Sequence, residues 1–244
     1  HKLPPEASTY ALPFELCRRY KIRRYGFHGI SHQYCANRAA RMLHRDPANF
    51  KVIVCHLGNG CSLAAVGNGT SIDTTMGFTP LDGLVMGTRS GAIDPGILIY
   101  LVEKEAANHN QLDELLDRKS GLLGVSGTSS DMREILAARA KGDERAALAF
   151  DVFVHSLSGY IGAMLARLNG ADALVFTGGI GENAAAVRAA ACKSFSFAGI
   201  ELDENKNNSC DDDADISSAG SKVRVLMVHT RENWAIAKEA QRLL

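Results

Sequence analysis

A chain of 244 residues, 46% of them hydrophobic, can bury a full core as one large domain or two small ones. Its 27 basic and 27 acidic side chains cancel, which excludes a global electrostatic footprint for nucleic acid or an anionic membrane and leaves room only for a local basic site. No uninterrupted apolar run approaches the roughly 20 residues a membrane span requires, so neither a membrane nor a nucleic acid is expected as partner. The six cysteines contain no C-x-x-C pair and are read as reduced core thiols of a cytoplasmic protein. Nothing resembles a secretory signal, and a first residue of His1 rather than Met suggests part of a longer protein.

In chain order, residues 1 to 25 are irregular, with room for a short helix after Pro13. Ser31 is placed to cap a helix running to about Arg45, and "KVIVCHL" reads as a buried strand. "CSLAAV" and "TSIDTT" add two strands joined by the turn "GNG", making a meander. Asp94-Pro95 opens a helix through "GILIYLVEKEA", and Leu112, Leu115 and Leu116 mark another that ends near Gly121. Residues 131 to 140 begin with Asp131-x-x-Glu134, a capping box, and a long amphipathic helix runs from Asp143 to about Leu168 before Gly170. "ALVFTGGIGENAAAVRAAA" is strand, glycine turn and helix; "KVRVLMVHT" is a last strand leading into the helical "ENWAIAKEAQRLL".

Two glycine turns follow apolar strands, at Gly58-Asn59-Gly60 and at Gly178-Gly179-Ile180-Gly181. Such turns let backbone approach a ligand closely and aim N–H groups at an anion, although one alone more often merely joins two elements. Neither is a G-x-x-x-x-G-K-[ST] loop, and the second lacks the last glycine of G-x-G-x-x-G, which disfavours Rossmann dinucleotide binding. His28 and His32 are four apart, but without the glutamate of H-E-x-x-H and with Gly29 set to interrupt a helix, so zinc is disfavoured. "DENKNNSCDDDAD" offers Asp203, Asn205 and Asn207 as calcium ligands but has Asn208 where the loop needs Gly and Ala214 where it needs Glu; a solvated loop is expected.

"RRYGFHGISH" (23–32), "HLGNGCSLAA" (56–65), "DTTMGFTPLDGLVMGTRSGAIDPG" (73–96), "SDMRE" (130–134) and "FTGGIGEN" (176–183) resemble the acetate kinase family in order and approximate spacing, over nearly the whole chain. The resemblance implies an α/β fold: a ribonuclease H-like (actin-like ATPase) domain with a mixed sheet flanked by helices, the second of two that clamp ATP, as in sugar kinases, actin and the heat-shock 70-type ATPases. It divides the chain into an inter-domain segment (1–27), the nucleotide-binding domain (28–231) and a terminal helix (232–244) that packs on an N-terminal domain. In the family that domain precedes the position of His1 and carries the first phosphate loop, a substrate arginine and the catalytic aspartate.

The implied activity is Mg-ATP-dependent phosphoryl transfer to acetate, giving acetyl phosphate and ADP, with ATP and Mg2+ as cofactors and this chain supplying half of the site. Propionate kinase and a non-catalytic nucleotide-binding or dimerisation module are the alternatives. A homodimer is implied, with the helix at 143–168 able to serve as its surface or equally to give its apolar face to the core. By the same resemblance His28 stabilises the phosphoryl group in flight and Arg89 the transition state. His56, Leu57, Gly58, Asn59 and Gly60 contact the ATP phosphates, Asp131, Met132 and Arg133 lie at the adenosine, and Gly179, Ile180, Gly181, Glu182 and Asn183 form a nucleotide-binding turn. Glu232 is magnesium-associated, although an acidic residue in the first turn of a helix also suits the helix dipole. The chain departs from the family pattern at Ile30, Cys61, Arg231, Asn233 and Ala92, the last removing a charge three residues from Arg89.

Overall fold

Valines and isoleucine in Lys51–Leu57 (β1) favour an extended backbone, and every side chain from Val52 onward is buried. The chain returns antiparallel as Cys61–Gly67 (β2), then turns at Asn68 and Gly69, both with positive φ, into Thr70–Thr74 (β3). Asn-Gly is the pair that tolerates two left-handed residues in a tight hairpin, so the expected meander forms where the sequence placed it. Ala173–Thr177 (β4) lies parallel to β1 on its other side, followed by Arg224–Met227 (β6) parallel to β4, with the short Ala214–Asp215 (β5) antiparallel at the edge. The order β3-β2-β1-β4-β6-β5 is a mixed sheet of the ribonuclease H-like kind, an antiparallel meander continued by parallel strands beside its first member. This computed structural model describes residues 1–105, 107–231, 233, 237, 240 and 241.

Helices cover both faces of the sheet. They are Pro5–Ser8 (α1), Phe14–Tyr20 (α2), Gly29–Met42 (α3), Pro95–Glu105 (α4), His109–Arg118 (α5), Gly121–Ser126 (α6), Met132–Ala140 (α7), Glu144–Leu168 (α8), Gly178–Asn183 (α9), Ala185–Lys193 (α10) and Glu204–Ser209 (α11). Side chains alternate along a strand, so β1 sends Ile53, Cys55 and Leu57 into the larger core with α8, and Val52 and Val54 into a smaller core with α3. The small residues Cys35, Ala36, Ala39 and Ala40 let α3 sit close on that second face. Burial on both faces is why these strands read as continuous apolar runs rather than alternating ones.

Asp143 caps α8 by accepting the Ala146 N–H (2.8 Å), and Phe150, Phe153, Leu157, Ile161, Met164 and Leu168 line its buried stripe. Length and hydropathy alone would let this helix cross a membrane although charged residues interrupt it, but its stripe is core. The apolar face of α8 is thus core, the second of the two uses the sequence left open for it. Helix α4 has no buried residue and presents Ile97, Ile99, Tyr100 and Val102, and α2 presents Phe14, Leu16 and Tyr20.

Other expectations need correction. Helix α3 begins at Gly29, not after Ser31: His28 takes the N-cap position with φ 56°, and the left-handed turn there absorbs what looked like an interruption. The "DENKNNSC" stretch, expected as a solvated loop, is partly helical, with Asp203 capping α11 through the Lys206 N–H and Asn207 buried. The terminal helix 232–244 and Glu232 fall outside the described residues, apart from Asn233, Ala237, Ala240 and Gln241.

Candidate active site

The site builds up where β1 ends. On the α3 side of the sheet, His28 and His32 lie one helical turn apart and converge on the buried Ser62 of β2: His28 Nδ1 is 2.9 Å and His32 Nε2 2.7 Å from its Oγ. His56, at the end of β1, stacks on His28 with centroids 4.2 Å apart, and its Nδ1 is 2.8 Å from Ser31 Oγ. Ser31 is therefore a partner of His56 and not a helix cap. Burial, reinforced by the neighbouring imidazoles, holds His32 well below the ordinary histidine value, and burial also lowers His56. The i,i+4 histidine pair shares a hydroxyl, and among the described residues no three His, Cys, Asp or Glu side chains converge as a metal site.

Gly60 lies against both His28 and Arg89. A methyl group added there would stand 3.4 Å from His28 Cε1 and 3.3 Å from Arg89 Nη1, so the missing side chain is what lets the imidazole and the guanidinium approach one backbone turn. Within that turn the Gly58 N–H donates to the Gly60 carbonyl (3.1 Å), and Asn59 is exposed at the tip. Leu57 contributes only backbone, because its side chain is fully buried. A Cβ on Gly87 would lie 3.2 Å from both Asn59 Oδ1 and the Ser130 carbonyl, which brings the Arg89 loop, the first glycine turn and the start of α7 together.

Arg89 is oriented by a residue that sequence reasoning missed. Its Nε donates to Asp117 Oδ1 of α5 at 2.7 Å, supplying from another element the negative charge that Ala92 removes locally. At the start of α7, Asp131 accepts the Arg133 N–H (2.8 Å), and the Arg133 guanidinium beside it pulls its carboxyl down to about 2. The reciprocal half of the expected capping box comes from Ser129 Oγ, which accepts the Asp131 N–H (3.0 Å), rather than from Glu134. Met132 is buried, whereas Arg133 is exposed.

The second glycine turn is itself helical, as α9. Gly178 has φ 78°, and a Cβ there would meet the Leu57 carbonyl oxygen at 2.9 Å, so this glycine is required for the turn to pass under β1. Gly179 is exposed with nothing within 4 Å of a Cβ position, which makes it the bare backbone of the turn. Glu182 is occupied in bracing: its carboxylate accepts the N–H groups of Gly178 and Thr230 (both 2.9 Å) and lies 2.7 Å from His229 Nδ1. Asn183 Nδ2 donates to the Gly179 carbonyl (2.9 Å), while Ile180 is half-buried. Behind the turn the buried Arg188 donates to the carbonyls of Gly181 (2.9 Å), Glu182 (2.6 Å) and Asn207 (2.7 Å), tying α9 to α11. An arginine in "AAVRAAA" gives no local signal of that role.

The strand order and the glycine turns gathered at the carboxyl ends of β1 and β4 define the class: an α/β protein with a ribonuclease H-like sheet. The profile of the acetokinase family matches residues 1–238, and the chain belongs to that family. It is 56% identical over 242 residues to an acetate kinase of Nostoc sp. (strain PCC 7120), covering 99% of this chain and 60% of that protein. With an acetate kinase of Gloeobacter violaceus it shares 57% over 238 residues, 98% of this chain and 58% of the relative. The crystal structure of Porphyromonas gingivalis acetate kinase superposes with a TM-score of 0.96 at 43% identity, covering 99% of this chain and 61% of the other. That of a propionate kinase from Francisella tularensis gives 0.92 at 44%, covering 98% and 60%. The chain thus spans about 60% of the length of the relatives it matches.

Proposed function

We propose that this chain supplies the ATP-binding half of an enzyme that moves a phosphoryl group reversibly between ATP and acetate, with acetyl phosphate and ADP as products. The observation that carries the proposal is the convergence of His28 and Arg89 on Gly60, one donor and one fixed positive charge at a backbone turn able to receive phosphate oxygens. In the reaction a carboxylate oxygen of acetate forms a bond to the γ-phosphorus as the bond from that phosphorus to the ADP oxygen breaks. The negative charge spreads over the three equatorial oxygens, where Arg89 and His28 act. Asn59, Gly60 and the exposed Gly179 present backbone to the phosphates, with Glu182 and Asn183 holding the turn that carries Gly179, and the start of α7 with Asp131 and Arg133 receives the adenosine.

Mg2+ neutralises nucleotide phosphates in such reactions. The described residues alone do not form a site for it, and Glu232 lies outside them. Residues 1–27 join the nucleotide-binding domain, 28–231, to the part of the enzyme that completes the acceptor side; the whole protein acts in the cytoplasm as a homodimer. Propionate is the competing acceptor, favoured by the 44% identity to the Francisella protein named a propionate kinase. Trapping the acyl phosphate as a hydroxamate, with the full-length protein, MgATP and either carboxylate, tests the reading. Acetyl hydroxamate formed with the higher kcat/KM supports acetate; a higher value for propionate reassigns the acceptor, and no acyl phosphate from either carboxylate defeats the proposal.

A further inference from the structure

We propose that Ser62 and His32 are positioning residues that order protons through a hydrogen-bonded chain and hold His28 with its proton on Nε2. Ser62 Oγ has one proton to donate and is shared between two imidazole nitrogens, His28 Nδ1 at 2.9 Å and His32 Nε2 at 2.7 Å. With both rings neutral, the two bonds run in one direction or the other. Either His32 Nε2–H donates to Oγ and the hydroxyl donates to His28 Nδ1, or His28 Nδ1–H donates to Oγ and the hydroxyl donates to His32 Nε2.

The second direction places the His32 proton on Nδ1. That atom is buried and meets no hydrogen-bond partner among the described residues. A buried N–H without an acceptor is costlier than a bare ring lone pair in the same place, because the donor keeps an unscreened positive edge. A third arrangement, with both rings donating to Oγ, leaves the proton of a fully buried hydroxyl aimed at neither imidazole. The first direction therefore prevails. Desolvation of His32, which keeps the ring neutral, agrees with it.

The consequence reaches the site. With Nδ1 accepting from Ser62, the neutral His28 ring carries its proton on Nε2, the nitrogen 3.5 Å from a Cβ position on Gly60. Stacking on His56 and the left-handed N-cap backbone hold the plane of the ring. His28 thus presents an N–H donor beside Arg89 without having to become charged. The link to catalysis rests on the phosphoryl-transfer reading above; the proton order itself does not.

The test is the ring 15N spectrum of the histidine-labelled full-length enzyme at about pH 8, above the ordinary histidine range. His28 is assigned by loss of its signals in His28→Asn, a residue that tolerates positive φ. The expected result is a protonated Nε2 and a bare Nδ1 for both His28 and His32. In Ser62→Ala the Nδ1–H form of His28 rises from near none to the minor fraction of an unconstrained imidazole, and Ser62→Thr restores the ordered state. In the full-length enzyme Ser62→Ala lowers kcat roughly tenfold to a hundredfold, the range lost when the outer partner of a working imidazole is removed, with the KM for ATP unchanged. A wild-type His28 protonated on Nδ1 or on both nitrogens overturns the proposal, as does an unaltered tautomer ratio in Ser62→Ala; if that variant does not fold, the wild-type spectrum decides. The expected spectrum with no acyl phosphate made would leave the proton order standing and defeat the functional reading alone.

Discussion

Arg89 shows how one side chain divides its work. Its Nε is committed to Asp117, while Nη1 faces Gly60. The pair is about a third exposed on each side, so it adds at most about 1 kcal/mol to stability, and its value is orientation. In the full-length enzyme Arg89→Ala is expected to lower kcat by about 100- to 1,000-fold with little change in the KM for ATP. Asp117→Asn keeps the guanidinium but loosens it, for a loss of roughly tenfold at nearly unchanged melting temperature. Steady-state kinetics beside thermal unfolding measure both; a loss confined to the KM for ATP would remove Arg89 from the transferring group. The histidines give a pH dependence of a different kind. His32 and His56 have lowered values in the fold, so the unfolded chain takes up protons that the fold refuses as pH falls below 6.5. Stability should drop there by up to about 1.4 kcal/mol per pH unit for each ring. His229 acts oppositely: the Glu182 hydrogen bond raises its value, so its contribution is complete below 6.5 and fades as pH rises through the raised value. It is small because the ring is partly exposed. Urea titrations at a series of pH values should show a net acid loss that His32→Gln reduces; an unchanged slope in that variant would exclude His32 as its source.

The turn from β4 into α9 makes neighbouring glycines opposite cases. Gly178 combines φ 78° with a Leu57 carbonyl at 2.9 Å from any added Cβ, so Gly178→Ala should cost about 1–3 kcal/mol. Gly179 has open space around it, so Gly179→Ala should change stability by less than about 0.5 kcal/mol yet weaken nucleotide binding. Denaturation and ATP calorimetry on the two variants would separate the effects, and unimpaired binding in Gly179→Ala would take this turn out of the site. Behind it, Arg188 is a buried cation satisfied by neutral carbonyls and an amide, an arrangement that fixes the spacing between α9 and α11. Elements that meet a ligand through backbone need such bracing, because their own side chains are too small to pack.

For the whole molecule, a sheet buried on both faces takes one stripe of α3 and of α8 into its cores and leaves α4 without a buried residue. On α4, Ile97, Ile99, Tyr100 and Val102 are all exposed, whereas the stripe of α8 is consumed internally. With α4 as the contact of the proposed homodimer, full-length protein should sediment as a dimer at micromolar concentration, and Ile99→Glu should shift it toward monomer with its circular dichroism unchanged. A dimer indifferent to Ile99→Glu would place the interface elsewhere.

What the sequence by itself determined was local. The β1–β3 meander, the Asn-Gly turn, the caps at Asp94, Asp131 and Asp143 and the buried stripe of α8 are all written within a few residues, because strand alternation, helical repeat and capping act over that range. The family strings named Gly60, His28 and Arg89, which the fold brings together. Only the tertiary structure decided how those residues are held: Asp117 reaches Arg89 across 28 positions, Ser62 joins His28 and His32 across 34 and 30, and Asn207 satisfies Arg188 across 19. Such partners carry no periodic signal. They meet because strand pairing and two-faced burial bring distant segments into register, and that closeness exists only once the chain has folded.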